Sequence, residues 1–195
     1  MPPLYAHDPF LAVHHALQRP WLDLPAAVLS VACEGWAQAL LGLALFAWLE
    51  RDLRRLAVAY LPVALGLAAG GAAVQQLKEL FATPRPLAIY GPAQVRVGLE
   101  PLFQLGFPSG HASAVATLAA CALLAYGRRV RWVLVLALLG GLSRVYLGAH
   151  WVADVAGGWA LGALVGASTH LLWHRAARVL LALGAGRESD GCAGP

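Results

Sequence analysis

The chain has 195 residues, of which 59% are hydrophobic and 12% are charged, and its formal net charge is +4. Soluble domains carry about 25% charged residues, so this composition excludes a disordered chain, a collagen and a disulfide scaffold, and it argues against a soluble enzyme. The sequence instead predicts a polytopic membrane protein whose basic residues lie mostly in cytoplasmic loops, with no nucleic-acid partner. The three cysteines lack the spacing of a metal site.

The apolar stretches predict an all-α fold, because a membrane-spanning helix needs about 20 apolar residues. Five such stretches lie at about 24–49, 56–81, 111–126, 132–147 and 151–173. Upstream, residues 8–18 predict a short interfacial helix, with a poorly ordered terminus as the alternative. We expect a helix bundle with about five transmembrane helices plus this N-terminal helix, in a single domain over 1–183. The polar, Gly-rich segment 184–195 predicts a disordered tail.

The connections between these stretches differ in length and charge. Residues 50–55 and 127–131 are short basic loops, whereas residues 82–108 form a loop of 27 residues that holds five of the twelve prolines. A loop of that length is usually functional or disordered, and this one is too apolar for a disordered linker. Nine basic residues lie on the side of the short loops and the C-terminus against five on the other side. The short loops are therefore predicted to face the cytoplasm.

Polar and charged residues gather at the predicted outer ends of the helices, where burial in a membrane is costly and usually serves a function. They are Lys78, Arg85, Ser109, Gly110, His111, Arg144, His150 and Asp154. The three cations have no matching carboxylates and favour an anion of two or more charges. Phosphate fits, because arginine binds its oxygens bidentately and a helix N-terminus offers further N–H donors.

Two histidines and an aspartate suggest the chemistry. His150 and Asp154 are spaced i, i+4, so Asp154 can accept a hydrogen bond from Nδ1 of His150 and leave Nε2 as a nucleophile. His111 is a second histidine on the same side, suited to general acid–base catalysis. The sequence holds no Cys/His or carboxylate cluster that suggests a metal, and no cofactor is expected. These residues predict metal-free phosphoryl transfer through a phosphohistidine.

Three blocks of the sequence carry a family resemblance: Lys78–Pro86 (K-x6-RP), Pro108–His111 (PSGH) and Ser143–Asp154 (SR-x5-H-x3-D). Together they resemble the motifs of the type 2 phosphatidic acid phosphatase superfamily, over a motif core of residues 78–154. The resemblance implies that His150 is the nucleophile, that Asp154 orients it, and that His111 protonates the leaving oxygen and then activates water. It also implies that the phosphoryl oxygens are held by Lys78, Arg85, Ser109, Gly110 and Arg144.

The resemblance further implies a lipid phosphatase of the bacterial inner membrane whose site faces the periplasm. Undecaprenyl diphosphate is the first candidate substrate by family analogy, followed by phosphatidic acid and phosphatidylglycerophosphate, and then by lipid A. A lipid phosphotransferase that uses the same phosphohistidine remains an alternative. A non-enzymatic membrane protein is a third reading, although a vestigial site should lack at least one motif residue. The sequence leaves the oligomeric state open.

Glu34 is a carboxylate in the outer part of the first predicted span, on the same side as the motif residues. A carboxylate buried there should have a polar partner. Lys78, Arg85 or a substrate head group could supply that partner. A hydrogen bond between helices is the equally open structural alternative.

The fifth predicted helix carries Gly158, Gly162 and Gly166 at intervals of four residues. This spacing places the glycines on one helix face, where the backbone of a neighbouring helix can approach closely. We expect a packing surface there and assign it no chemistry.

Overall fold

The structure, a computed structural model, describes residues 5–98 and 101–191, with the backbone alone for 180–191. Within these residues the regular elements are helical, in agreement with the predicted fold class. The α-helices are α1 (Phe10–Leu17), α2 (Asp23–Ala32), α3 (Gly35–Leu49), α4 (Leu53–Phe81), α5 (Pro86–Tyr90), α6 (Gly110–Tyr126), α7 (Val133–Tyr146) and α8 (Val152–Gly191). Single turns of 3-10 helix at Pro20–Leu22 and Gly127–Val130 precede α2 and α7.

The five predicted spans are all helical, but they do not all qualify as single spans. Three segments are long and apolar enough to cross a membrane: Leu53–Tyr90, Gly110–Val130 and Val152–Val179. The first predicted span is instead two helices, α2 and α3, bent by 79°, which together could make a fourth. Helix α7 has 14 residues, or about 21 Å, which is shorter than a hydrocarbon core of about 30 Å.

The break between α2 and α3 is stabilised by a side chain. Cys33 and Glu34 lie outside both helices, so carbonyls at the end of α2 lose their helical donors. The buried Gln38 side chain replaces one of them, because its Nε2 donates a hydrogen bond of 2.6 Å to the carbonyl of Ala32. As a result, Glu34 sits at the start of α3 rather than inside a continuous span.

Helix α6 is the centre of the bundle and packs against α3, α4, α7 and α8. The Ser109 side chain caps its N-terminus by accepting a hydrogen bond from the backbone N–H of Ala112. Two apolar clusters flank it. One surrounds Phe46 and Val63, and the other surrounds Phe10 and Trp151 beside the start of α8.

The glycine stripe of α8 is the contact between α6 and α8, as the sequence predicts. A Cβ atom added at Gly158, Gly162 or Gly166 would lie 2.1–2.6 Å from a backbone oxygen of the facing segment. Those oxygens belong to Ser109, Ser113 and Thr117. Only glycine permits this separation, so the stripe fixes how closely the two helices approach.

Helices lie near both ends of the described part of the chain. Helix α1 confirms a helix within residues 8–18, and it buries Phe10 and His14 against the protein. Its place at a bilayer surface stays a prediction, as does a single domain over 1–183.

Helix α8 continues to Gly191, whereas the sequence predicts disorder from residue 184. From the start of α8 at Val152 up to Pro195 the sequence has no proline, so the helix can continue. Residues 192–195 lie outside the described part.

We predict that Gly162→Ala lowers the midpoint of thermal unfolding in detergent, because the new Cβ would lie 2.1 Å from the Ser113 carbonyl oxygen. Overpacking of this kind costs about 1–3 kcal/mol, whereas the better helix propensity of alanine returns at most about 1 kcal/mol. Gly71→Ala on α4 is the control, since a Cβ there meets nothing within 4 Å. Equal midpoints for the two variants would contradict the packing role.

Candidate active site

The predicted site residues come from five separate pieces of the chain that meet at one end of the bundle. Lys78 lies in the last turn of α4, Arg85 directly precedes α5, and Arg144 lies in the last turn of α7. Ser109, Gly110 and His111 form the N-terminus of α6, and His150 and Asp154 flank the start of α8.

His150 and Asp154 form a buried pair. Nδ1 of His150 lies 3.1 Å from Oδ2 of Asp154, and both side chains are almost completely inaccessible to solvent. Helix α8 begins at residue 152, so the pair forms at a helix start rather than within a helix. Asp154 also accepts a hydrogen bond from the Trp151 backbone N–H at 3.1 Å, which is the reach-back bond of a capping box.

His150 is held as a neutral imidazole with one free nitrogen. Burial, and next the positive charge of Arg85, lower the pKa of His150 well below its ordinary value. With Nδ1–H donating to Asp154, Nε2 carries the lone pair. Nη1 of Arg85 lies 3.4 Å from Nε2, so the free nitrogen faces a cation.

Two residues near the N-terminus complete this pair, and sequence analysis missed both roles. The hydroxyl of Tyr5 donates a hydrogen bond of 2.7 Å to Oδ1 of Asp154. The Asp8 carboxylate accepts hydrogen bonds from the backbone N–H groups of Val152 and Ala153, at 3.2 and 2.8 Å. Asp8 also accepts a hydrogen bond from the backbone N–H of Phe10, the first residue of α1.

Backbone carbonyls hold the Arg85 guanidinium in a fixed orientation. Nε donates to Gln104 O at 2.8 Å, Nη1 to Ala149 O at 2.9 Å and Nη2 to Leu105 O at 3.3 Å. Two of these carbonyls belong to the long loop, which therefore packs over the site. The long loop thus contributes to the site, as expected if its length reflects a function rather than disorder.

Arg144 is also buried, with a neutral partner. Its Nη1 donates to the hydroxyl of Ser30 on α2, and its Nε has no partner among the described residues. The backbone carbonyl of Arg144 accepts hydrogen bonds from the N–H groups of Ala149 and His150. These bonds place the end of α7 beside the loop that carries His150. Ser30 is a third residue that sequence analysis missed, since nothing local distinguishes it from other serines in apolar helices.

The backbone of Ser109 connects α6 directly to α8. Its N–H donates a hydrogen bond of 2.9 Å to the backbone carbonyl of Asp154. The α6 N-terminus, with its unpaired N–H groups and positive dipole end, is thereby fixed beside the His150–Asp154 pair.

A cavity of about 340 Å³ opens beside the α6 N-terminus. Lys78, Gly110 and His111 line it at one end, and Glu34 and Trp36 of the α3 start line it as well. The Glu34 carboxylate accepts a hydrogen bond of 2.5 Å from the Trp36 indole. Among the described residues Glu34 forms no ion pair with Lys78 or Arg85. The two cations expected as its partners are therefore not in contact with it.

The rest of the cavity lies between α3, α4 and α6. It is lined there by Leu67, Gly70, Gly71, Val74, Ser113, Ala114 and Thr117. Of the predicted site residues, Lys78, Gly110 and His111 line this cavity, which offers a cation and a histidine at one end and space for an apolar group at the other. His150, Arg85 and Arg144 are not among its lining residues. In the described part of the chain, no group of three or more His, Cys, Asp or Glu side chains is arranged to hold a metal ion.

Comparison with known proteins identifies relatives of this chain. The sequence model of the PAP2 superfamily matches residues 59–178. An undecaprenyl-diphosphatase of Sulfolobus acidocaldarius is 38% identical over 91 residues, which are 45% of this chain and 42% of that protein. A decaprenylphosphoryl-5-phosphoribose phosphatase of Mycobacterium tuberculosis is 42% identical over 73 residues, 37% of this chain and 40% of the relative. The chain matches about two fifths of the length of these curated relatives.

Two solved structures share the fold. LpxE of Aquifex aeolicus superposes with a TM-score of 0.67 at 26% identity, covering 82% of this chain and 91% of that one. A PAP2-type phosphatidylglycerolphosphate phosphatase of Bacillus subtilis superposes with a TM-score of 0.62 at 22% identity, covering 87% and 84%. The helical architecture described above is therefore that of known membrane proteins.

We predict that Arg85→Lys loosens the long loop, because a compact ammonium group cannot reach three carbonyls that are spread around the planar guanidinium. Limited trypsin digestion should then cleave after Arg96 several-fold faster than in the unsubstituted protein, read by mass spectrometry. Arg131→Lys is the control, since Arg131 is exposed in a distant turn. An unchanged rate of cleavage after Arg96 in Arg85→Lys would contradict the anchoring role.

Proposed function

Because this chain belongs to the PAP2 superfamily, we propose that it is a membrane lipid phosphatase that acts on phosphate monoesters or diphosphates through a phosphohistidine on His150. The single observation that carries the proposal is the 3.1 Å contact from Nδ1 of His150 to buried Asp154. That contact leaves Nε2 free beside Arg85, where a phosphoryl group would bind.

The proposed reaction has two displacements at phosphorus. In the first, Nε2 of His150 attacks phosphorus, the bond to the leaving oxygen breaks, and His111 donates a proton to that oxygen. In the second, His111 takes a proton from water, the resulting nucleophile attacks the phosphohistidine, and the N–P bond breaks. Phosphate leaves, and His150 returns to its neutral form. Asp154 accepts the hydrogen bond from Nδ1–H of His150 throughout and stabilises the positive charge on the ring.

The phosphoryl oxygens are proposed to bind Lys78, Arg85, Ser109, Gly110 and Arg144. Arg85 and Arg144 are buried and oriented by neutral groups, so their charge is available to an anion. Such fixed donors stabilise the charge that develops on the oxygens in the transition state. The site needs no metal in this proposal, because these cations and the α6 N-terminus supply the positive charge.

We propose a polyprenyl phosphate as the substrate, with undecaprenyl diphosphate as the first candidate. Both curated relatives are named for polyprenyl-linked phosphates, and the cavity extends from His111 between apolar helix faces. Phosphatidic acid, phosphatidylglycerophosphate and lipid A are the alternative substrates. A phosphotransferase would use a lipid hydroxyl in place of water, and release of free phosphate separates the two activities.

We place the chain in the bacterial inner membrane with the site facing the periplasm. Arg51, Arg54 and Arg55 are exposed at the start of α4, and Lys78 lies at the other end of this 29-residue helix. The exposed basic turn at residues 128–131 also lies at the helix ends remote from the site. The excess of positive charge at these ends favours the cytoplasmic side for them.

The first test measures free phosphate released from undecaprenyl diphosphate and the alternative lipids by the detergent-purified protein in excess EDTA. We expect activity that EDTA does not reduce and that His150→Ala abolishes, a loss of at least about a thousandfold for a nucleophile. His174→Ala is the control, because His174 lies near the opposite end of the bundle. Activity abolished by EDTA, or retained by His150→Ala, would contradict the mechanism.

A second prediction concerns Glu34, which lines the cavity on the leaving-group side. Its negative charge disfavours a second phosphate, so Glu34→Gln should lower KM for a diphosphate relative to a monophosphate lipid by about five-fold, or about 1 kcal/mol. Glu79→Gln on the exposed face of α4 is the charge-matched control. An unchanged KM ratio would mean that Glu34 does not contact the substrate side.

A further inference from the structure

Asp154 presents two carboxylate oxygens, and different parts of the chain hold each of them. Oδ2 accepts from Nδ1 of His150 and from the Trp151 N–H. Oδ1 accepts from the Tyr5 hydroxyl at 2.7 Å, across 149 positions of sequence. The Tyr5 contact therefore decides the orientation of the carboxylate plane, because the Oδ2 contacts alone leave the group free to rotate about its own axis.

Tyr5 is itself rigidly placed. Its ring is completely buried and stacks on Trp151, with ring centroids 4.5 Å apart and an interplanar angle of 13°. The Trp151 indole N–H in turn donates 2.8 Å to the carbonyl of Pro84, next to Arg85. Asp8 fixes the same segment three residues later through the α8 N-terminus.

The Tyr5 hydroxyl is the donor in its hydrogen bond with Asp154. Burial raises the pKa of Tyr5 far above its ordinary value, so the group stays protonated over the physiological range. A short O–H···O⁻ bond to a carboxylate is among the stronger neutral-to-charged hydrogen bonds. It favours the ionised form of the carboxylate, which is the form that can accept from His150.

We propose that Tyr5 is a positioning residue of the active site, which sets the orientation of Asp154 and through it the direction in which Nε2 of His150 points. The N-terminal segment at residues 5–8 is then part of the catalytic apparatus and not only the start of the predicted interfacial helix. This inference rests on the proposed function, because it gives Asp154 the role of orienting a nucleophile.

The test compares Tyr5→Phe with Tyr60→Phe in the full-length protein. Phenylalanine keeps the stacking surface and removes only the hydroxyl. Tyr60 donates a similar hydrogen bond of 2.7 Å to the Ala39 carbonyl, away from the site, so Tyr60→Phe is the matched control. We expect Tyr5→Phe to lower kcat roughly ten-fold with KM unchanged, as loss of a residue that supports a reacting group does, and Tyr60→Phe to keep the full kcat.

A purely structural role would give a different pattern. If Tyr5→Phe lowered the unfolding midpoint as Tyr60→Phe does and left kcat unchanged, the inference would be overturned. The same substitution in an Asp154→Asn background should have no further effect on kcat, since its action passes through that carboxylate. An undiminished ten-fold loss there would also overturn it.

The proposed function is tested in parallel with His150→Ala on the same preparation. Phosphate release that survives His150→Ala refutes the proposed mechanism regardless of Tyr5. Release that depends on His150 but not on the Tyr5 hydroxyl refutes the present inference alone.

Discussion

The carboxylate of Asp154 is completely buried, and a buried charge is stable only where hydrogen-bond donors replace the water it has lost. Three donors do so, from Tyr5, His150 and the Trp151 backbone. They come from the N-terminal segment and from the loop that enters α8. The end of the bundle that carries His150 is therefore organised around the need to satisfy one group, and the orientation of His150 is a consequence of that arrangement.

The same arrangement depends on how closely two helices approach. The glycine stripe of α8 admits the backbone of α6 to distances that any side chain would prevent. Only at that separation does the Ser109 N–H reach the carbonyl of Asp154. Packing in the middle of the bundle thus sets the position of the α6 N-terminus relative to His150.

Sequence analysis predicted what depends on short spacing. The His150–Asp154 pair lies four residues apart, the three motif blocks are each contiguous, and the glycine stripe has a regular interval, so local rules suffice. The contacts of Tyr5 and Ser30 span 149 and 114 positions, and no periodicity connects such residues. The break before Gly35 was missed because Gln38, which stabilises the break, lies in a stretch that is apolar enough to be predicted as a single span. Asp8 lies at the start of the helix predicted over residues 8–18, but its partners on α8 are visible only in three dimensions.

The neutral partners of Arg85 and Arg144 have a thermodynamic consequence. Carbonyl and hydroxyl oxygens orient these guanidinium groups without neutralising them, and in the described residues neither forms an ion pair with a carboxylate. The cations therefore repel one another until an oxyanion binds between them. Because an anion binds the folded chain far better than the unfolded one, occupancy of the site and the folding equilibrium are linked. Part of the stability of this end of the molecule would thus come from the phosphate compound that we propose it binds.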